Sequence, residues 1–254
     1  MIAPRYLLFA ILLATLPQAL AGTTPRIAII IDDLGYELQA GRRAIELPGP
    51  LAYAILPGTP RARLLAEAAH RRGKEVLLHL PLQAVEHPHR AEPGGITLDM
   101  SQASLRDAFT AALESVPFVI GVSSHRGSLL TRHPGHMSWL MQEIRARNDL
   151  FFIDSFTTHK SVALQIAREA GVVATKRDVF LDTDPSPEAL AREFERLKSV
   201  ARQHGIAVGI GHPYPETLDF LERELRILDS DEFELVPISK ALERSFEPAV
   251  AGRL

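Results

Sequence analysis

Residues 27–31 read Ile-Ala-Ile-Ile-Ile, and Asp32, Asp33, Leu34 and Gly35 follow at once. A run so rich in β-branched apolar side chains reads as a strand buried in a parallel sheet. Two carboxylates at its end are costly unless a cation, a base or a proton relay uses them. The plainer reading is an Asp helix cap with a solvated neighbour. What constrains the fold is that this pattern recurs along the chain. Strand-like runs at 27–31, 51–56, 75–78, 118–122, 150–153, 172–175 and 206–210, with a short one at 233–237, each end in polar or turn-forming residues. Between them lie helical stretches at 39–46, 61–72, from Ser101 or Ser104 to Ser115, and at 136–148, 161–170, 187–203 and 216–228. Ser104 with Asp107 has the spacing of a capping box.

Crossovers that contain helices make neighbouring strands parallel. Seven or eight such units in 254 residues predict an α/β fold. The expected architecture is a single-domain distorted (β/α) barrel of seven to eight parallel strands, in preference to an open doubly wound sheet. No glycine motif for a dinucleotide or a nucleotide phosphate is present. The Pro/Gly-rich stretch 86–95 reads as an excursion near the site and not as a domain boundary.

Lys and Arg number 28 against 31 Asp and Glu, a net charge of -3. No basic excess points to nucleic acid or an anionic membrane. The absence of cysteine excludes disulfides and thiolate metal sites, so a metal must be held by His and carboxylate. At the start, Arg5 precedes an apolar run at 6–16, Pro17 breaks it, and Ala19 and Ala21 stand at the positions of a cleavage site. Residues 1–21 therefore resemble a secretory signal peptide, with the body exported to the periplasm or beyond and no stable membrane span after cleavage. An uncleaved N-terminal anchor is the alternative, although the apolar run is short for a span.

In a parallel barrel the residues after each strand converge on one rim. Here they are Asp32 and Asp33, His79, His125, Asp154, Arg177 and Asp178, and His212. Several Asp and three His at one rim are the ligand set of a catalytic zinc-type site and also an acid–base set. The other histidines have plainer readings. His87 and His89 lie in the Pro-rich loop, His133 and His136 flank a helix start, and His70 and His204 sit on polar helix faces. Asp182 and Asp184 read as caps of the helix that Pro185 and Pro187 open, with Asp182 also within reach of the rim. Trp139 reads as core.

Six segments carry a resemblance. They are Asp32-Asp33-Leu34-Gly35, His79-Leu80-Pro81, the stretch from Gly121 through His125 to Ser128, Asp154-Ser155, Arg177-Asp178 through Asp182, and Gly211-His212-Pro213. In this order they resemble the divergent polysaccharide deacetylases, over nearly the whole mature chain. The resemblance implies a distorted (β/α) barrel related to the metal-dependent carbohydrate N-deacetylases. There are departures. Ordinary deacetylases carry two metal-binding histidines in an H-x-x-x-H motif, and here Gln83 stands in the second place. His125 is available from the next strand to fill that vacancy. Around it the usual Asn-Asn and Met of the divergent family are replaced by Ser123, Ser124 and Arg126.

What the resemblance implies for the site is a divalent cation, with zinc expected, on Asp33, His79 and His125. Asp32 is then the general base, and His212 the general acid with Asp154 orienting it. Gln83, Arg177, Asp178 and Ser128 are expected to bind substrate or support the site. The implied function is hydrolytic removal of N- or O-acetyl groups from a polysaccharide or peptidoglycan-type glycan. A catalytically silent barrel that binds a glycan or a protein is the alternative, motivated by Gln83. A phosphoester hydrolase using the same metal and base is a third, weaker reading.

Overall fold

The computed structural model describes residues 24–86, 92–228 and 232–242. The expected signal peptide, His87 and His89 lie outside these residues. Among the described residues nine strands form one sheet: β1 Arg26–Leu34, β2 Ala52–Ile55, β3 Glu75–Leu82, β4 Val119–Arg126, β5 Phe151–Asp154, β6 Ala174–Lys176, β7 Val179–Phe180, β8 Ile206–Gly211 and β9 Glu234–Leu235. The helices are α1 Leu38–Ile45, α2 Ala62–Arg71, α3 Gln102–Ser115, α4 Pro134–Arg145, α5 Ala163–Glu169, α6 Pro187–His204, α7 Pro215–Ile227 and α8 Ile238–Ala241.

Eight strands are hydrogen-bonded in the order β6-β5-β4-β3-β2-β1-β8-β7, all parallel, and β9 joins the start of β1. The two ends of that order, β6 and β7, are separated in sequence only by Arg177 and Asp178. One stretch of chain thus pairs with β5 where it begins and with β8 where it ends. A sheet whose two edges are joined this closely has to curl, and the result is the distorted (β/α) barrel that the alternation predicts.

Strand alternation sorts the core into two parts. Ala28, Ile30, Ala52, Ala54, Leu77, Ile153, Val208 and Ile210 pack together inside the curl, and Ile238 and Leu242 around α8 join them. Ile27, Ile29, Ile31, Leu78, Val122 and Phe152 face the other way, onto helix residues such as Leu65, Phe109, Leu140 and Leu197. Most of the interior residues are small or slender, as the narrow space requires, and Phe151 is larger.

Helix ends follow local chemistry. Ser101 caps α3, its Oγ accepting the Ser104 N–H at 3.2 Å. The Ser104–Asp107 capping box is not used, because α3 begins at Gln102. Gly205 ends α6 with φ at 78°, a left-handed turn that suits a residue without Cβ. The main difference from expectation is strand length. β1, β3 and β4 continue through the polar residues that were expected to follow them, so Asp32, Asp33, His79 and His125 lie within the sheet. Pairing from His79 with Ser123 through Leu82 with Arg126 carries β3 and β4 to the rim.

Candidate active site

Ala28 and Ile30 point inside the curl, so alternation places Asp32 inside as well, where it is buried. The same rule would turn Asp33 outward. It does not, because Asp33 adopts φ of 59° and the pairing of β1 with β2 shifts between Ile31 and Leu34. Asp tolerates this left-handed backbone better than most residues. Both carboxylates consequently reach one imidazole: His79 Nε2 lies 3.5 Å from Asp32 Oδ2 and 3.1 Å from Asp33 Oδ1. His79 follows the interior residue Leu77 by two on β3, and His125 projects from the adjacent β4.

Asp33 Oδ1, His79 Nε2 and His125 Nδ1 form a triangle with sides of 3.1, 2.9 and 3.2 Å. Donors about 2.0–2.2 Å from a shared cation stand roughly 3.0–3.5 Å apart in octahedral or tetrahedral geometry. Among the described residues Asp33 Oδ1 has no partner in hydrogen-bond geometry despite its two close nitrogens, and Asp32 Oδ1 and His79 Nδ1 have none either. Buried polar atoms are rarely left so. The set fits a single divalent cation.

Charge follows geometry here. Burial favours the neutral carboxyl at Asp33, but His125 and His79 outweigh it and hold the group well below the carboxylate range. At Asp32 burial wins and the carboxyl is raised, although His79 and His212 oppose it. His79 is raised against its own burial by Asp32 and Asp33.

His212 follows β8 on the same rim, with Nε2 3.9 Å from Asp33 Oδ2. Its Nδ1–H donates to Asp182 Oδ1 at 2.8 Å. The other oxygen of Asp182 accepts the His212 backbone N–H at 2.6 Å and the Thr217 hydroxyl at 2.9 Å. Burial would discharge this imidazole, but Asp182, then Asp32 and Asp33, raise it to about 9.

Residues 29–242 match the model of the family described as divergent polysaccharide deacetylase. The chain belongs to that family. An uncharacterized protein of Haemophilus influenzae is 38% identical over 206 residues, covering 81% of this chain and 73% of its own length. The uncharacterized protein YibQ of Escherichia coli is 34% identical over 244 residues, 96% of this chain and 74% of its own. Among solved structures, an uncharacterized protein of Agrobacterium tumefaciens superposes with a TM-score of 0.82 at 22% identity, covering 87% of this chain and 90% of its own. The T48 deacetylase solved with its substrate gives 0.54 at 12% identity, covering 89% and 94%. The catalytic domain of a peptidoglycan N-acetylglucosamine deacetylase of Eubacterium rectale gives 0.53 at 15%, covering 87% and 93%. These likenesses show the fold.

The remaining rim residues hold the scaffold. Asp154 is a correction: it does not orient His212, and Asp182 does. Phe151 and Ile153 point inside and Phe152 outward, so Asp154 faces outward too. Its oxygens accept the Phe156 N–H at 2.9 Å and the Ser161 hydroxyl at 2.6 Å. Arg177 donates to the carbonyls of Ser155 and Phe156 at 2.7 and 2.9 Å and lies 3.6 Å over the Phe180 ring, strapping β5 to β7. Asp178 accepts the Val208 N–H at 2.8 Å. Gln83 Oε1 accepts the Leu98 N–H at 2.7 Å, so this amide anchors the loop after β3. Ser128 bonds Glu86 and the Val85 N–H at 2.8 and 2.9 Å, tying the same loop to the turn after β4. Asp184, and not Asp182, supports the start of α6, accepting the Ser186 N–H at 2.9 Å. His136 is buried, with Nδ1 3.2 Å from His133 Nδ1 and its ring 4.7 Å from Trp139.

Asp182 was expected near the rim but without its role at His212, and Glu92 was not expected at the site at all. Asp182 had a signal: it lies two residues after Phe180, which packs on the inner core, and so shares its face. Glu92 had none beyond a carboxylate in the excursion loop. Its oxygens stand 3.1 Å from His125 Nε2 and 3.0 Å from Arg126 Nε. Arg126, which brings a cation beside the ligand set, is thereby matched by an acid.

Proposed function

We propose that this protein is an exported metal-dependent hydrolase that removes acetyl groups from a polysaccharide or peptidoglycan-type glycan. The observation that carries the reading is the triangle of Asp33, His79 and His125 with two further groups of opposite duty beside it. Family membership supports the substrate class, and the likeness in fold to a peptidoglycan N-acetylglucosamine deacetylase is compatible with it.

A divalent cation on Asp33, His79 and His125, with zinc expected for a His and carboxylate set, would polarise the acyl carbonyl and make water a better nucleophile. The chain's own residues do the rest. Asp32 takes the proton of the attacking water. Its Oδ1 is buried with no partner among the described residues, and burial raises its affinity for a proton. The water oxygen bonds to the carbonyl carbon, and the C–N bond then breaks. His212 delivers a proton from Nε2 to the departing nitrogen, because Asp182 on Nδ1 fixes the ring and keeps it charged. The products are acetate and an amine.

The test is acetate release from N-acetylglucosamine oligomers by zinc-loaded protein, compared with an activated acetate ester. Zinc bound in stoichiometric amount with no acetate from either substrate overturns the hydrolase and leaves a glycan-binding barrel. Export is tested separately. N-terminal sequencing of the mature protein is expected to begin at Gly22, and an intact Met1 on membrane-bound protein would favour the anchor.

A further inference from the structure

Either imidazole nitrogen can serve as a ligand, and the group facing the other nitrogen decides which one keeps its hydrogen. At His125 the atom that faces Asp33 Oδ1 and His79 Nε2 is Nδ1, at 2.9 and 3.2 Å. Its Nε2 faces away, 3.1 Å from Glu92 Oε2. An ionised carboxylate only accepts, so this contact requires a hydrogen on Nε2 and leaves the Nδ1 lone pair for a cation. The pair is sheltered, with side-chain exposures of 15% and 16%.

Glu92 is itself held. Its Oε1 lies 3.0 Å from Nε of Arg126, the residue after His125. Neighbours on a strand ordinarily face opposite sides. Arg126 has φ of 56°, and both side chains reach the one carboxylate. From the other end, the Gly95 N–H donates to the Glu92 carbonyl at 2.9 Å. Ile96 then pairs back onto the end of β3, its N–H donating to Pro81 at 2.9 Å and its carbonyl accepting from Gln83 at 3.0 Å. The acid is thus held by a loop that pairs onto the end of β3, beside the ligand strands.

We propose that Glu92 is a positioning residue for the cation site, which selects the His125 tautomer with hydrogen on Nε2, and that Arg126 anchors it. The inference rests on the proposed ligand set. His79 makes a contrast, since its Nδ1 has no partner among the described residues.

Zinc alone is the probe, titrated calorimetrically into the metal-stripped full chain, with nitrogen-15 NMR of the imidazoles in the loaded protein. In the parent, His125 should show hydrogen on Nε2 and zinc on Nδ1. Glu92→Ala should weaken zinc binding by about 10- to 100-fold. Glu92→Gln should lose less, because its amide oxygen still accepts from Nε2. Arg126→Ala should fall between parent and Glu92→Ala. Thermal melts of the stripped variants report folding, and if Glu92→Ala does not fold, the Gln and Arg126 variants carry the test. Parent affinity in the Glu92 and Arg126 variants that fold, or a loaded spectrum with hydrogen on His125 Nδ1, overturns the inference. If Asp33→Ala and His79→Ala also bind zinc as the parent does, the ligand set has failed and this inference falls with it. If those two lose zinc while Glu92→Ala keeps it, only this inference fails. Acetate release enters none of these outcomes.

Discussion

Asp32 and Asp33 are chain neighbours that meet opposite electrostatic surroundings. Asp33 faces two imidazoles and is held ionised, as a ligand must be. Asp32 keeps one oxygen buried and, among the described residues, unpartnered, and its carboxyl is raised. Their amides should therefore separate two functions. Asp33→Asn is expected to lose zinc and activity together. Asp32→Asn should keep zinc while turnover falls by roughly 10²- to 10⁴-fold, the span of general-base catalysis. Zinc titration beside the acetate assay checks both. Unchanged turnover in Asp32→Asn would assign the base elsewhere. For His212 the discriminating measurement is the leaving group. His212→Ala should harm amide substrates far more than an activated ester, since a departing amine needs a proton and a good alkoxide does not. The adjacency of the two acids was legible in the sequence. Their shared face was not, because it depends on the positive φ of Asp33 and a slip in register.

At the scale of elements, the ends of β1 and β2 carry the tightest constraints. Gly35 leaves β1 with φ of 136°, and a Cβ there would meet Thr59 Oγ1 at 2.1 Å. Gly35→Ala should destabilise the fold by about 1–3 kcal/mol through strain and clash. Thr59→Ala in the same chain should recover only the part due to the Oγ1 clash, as thermal melts would show. Tyr53 ties β2 to the end of α1, its buried hydroxyl donating to the Ala44 carbonyl at 2.8 Å. Burial, and then Glu46, push the Tyr53 phenol above its ordinary value of 10.0. The folded state therefore holds a proton that the unfolded state releases above about pH 10. Stability from this group is complete below that pH and declines as pH rises through the folded pKa. Tyr53→Phe should cost about 1 kcal/mol near neutrality, for one hydrogen bond. It should also flatten the alkaline loss, which denaturant titrations between pH 8 and 11 would detect. An unchanged alkaline slope would remove Tyr53 as its source.

For the whole molecule, the site ties β1, β3 and β4 together at one end of the barrel, so a bound cation should stabilise the entire fold. At zinc one hundred times its dissociation constant the gain is about 2.7 kcal/mol, or roughly 5–10 °C in melting temperature. Chelation should reverse it, and His79→Ala should abolish it. A zinc-independent melt of the parent protein would contradict the site. Residue order alone set the class of fold, because helix and strand periods are local and helical crossovers make the strands parallel. It also determined that His79, His125, His212 and the two acids of β1 would gather at the strand ends, since parallel strands finish at one rim. Long-range packing settled the rest. It extended the strands through their polar ends, because residues inside the curl are chosen by neighbours on other strands. It placed Asp182, and not Asp154, against His212, because strand parity at β5 and β7 assigns the faces. It brought Glu92 to His125 through a return of the chain onto β3, a long-range pairing that no local pattern of residues encodes.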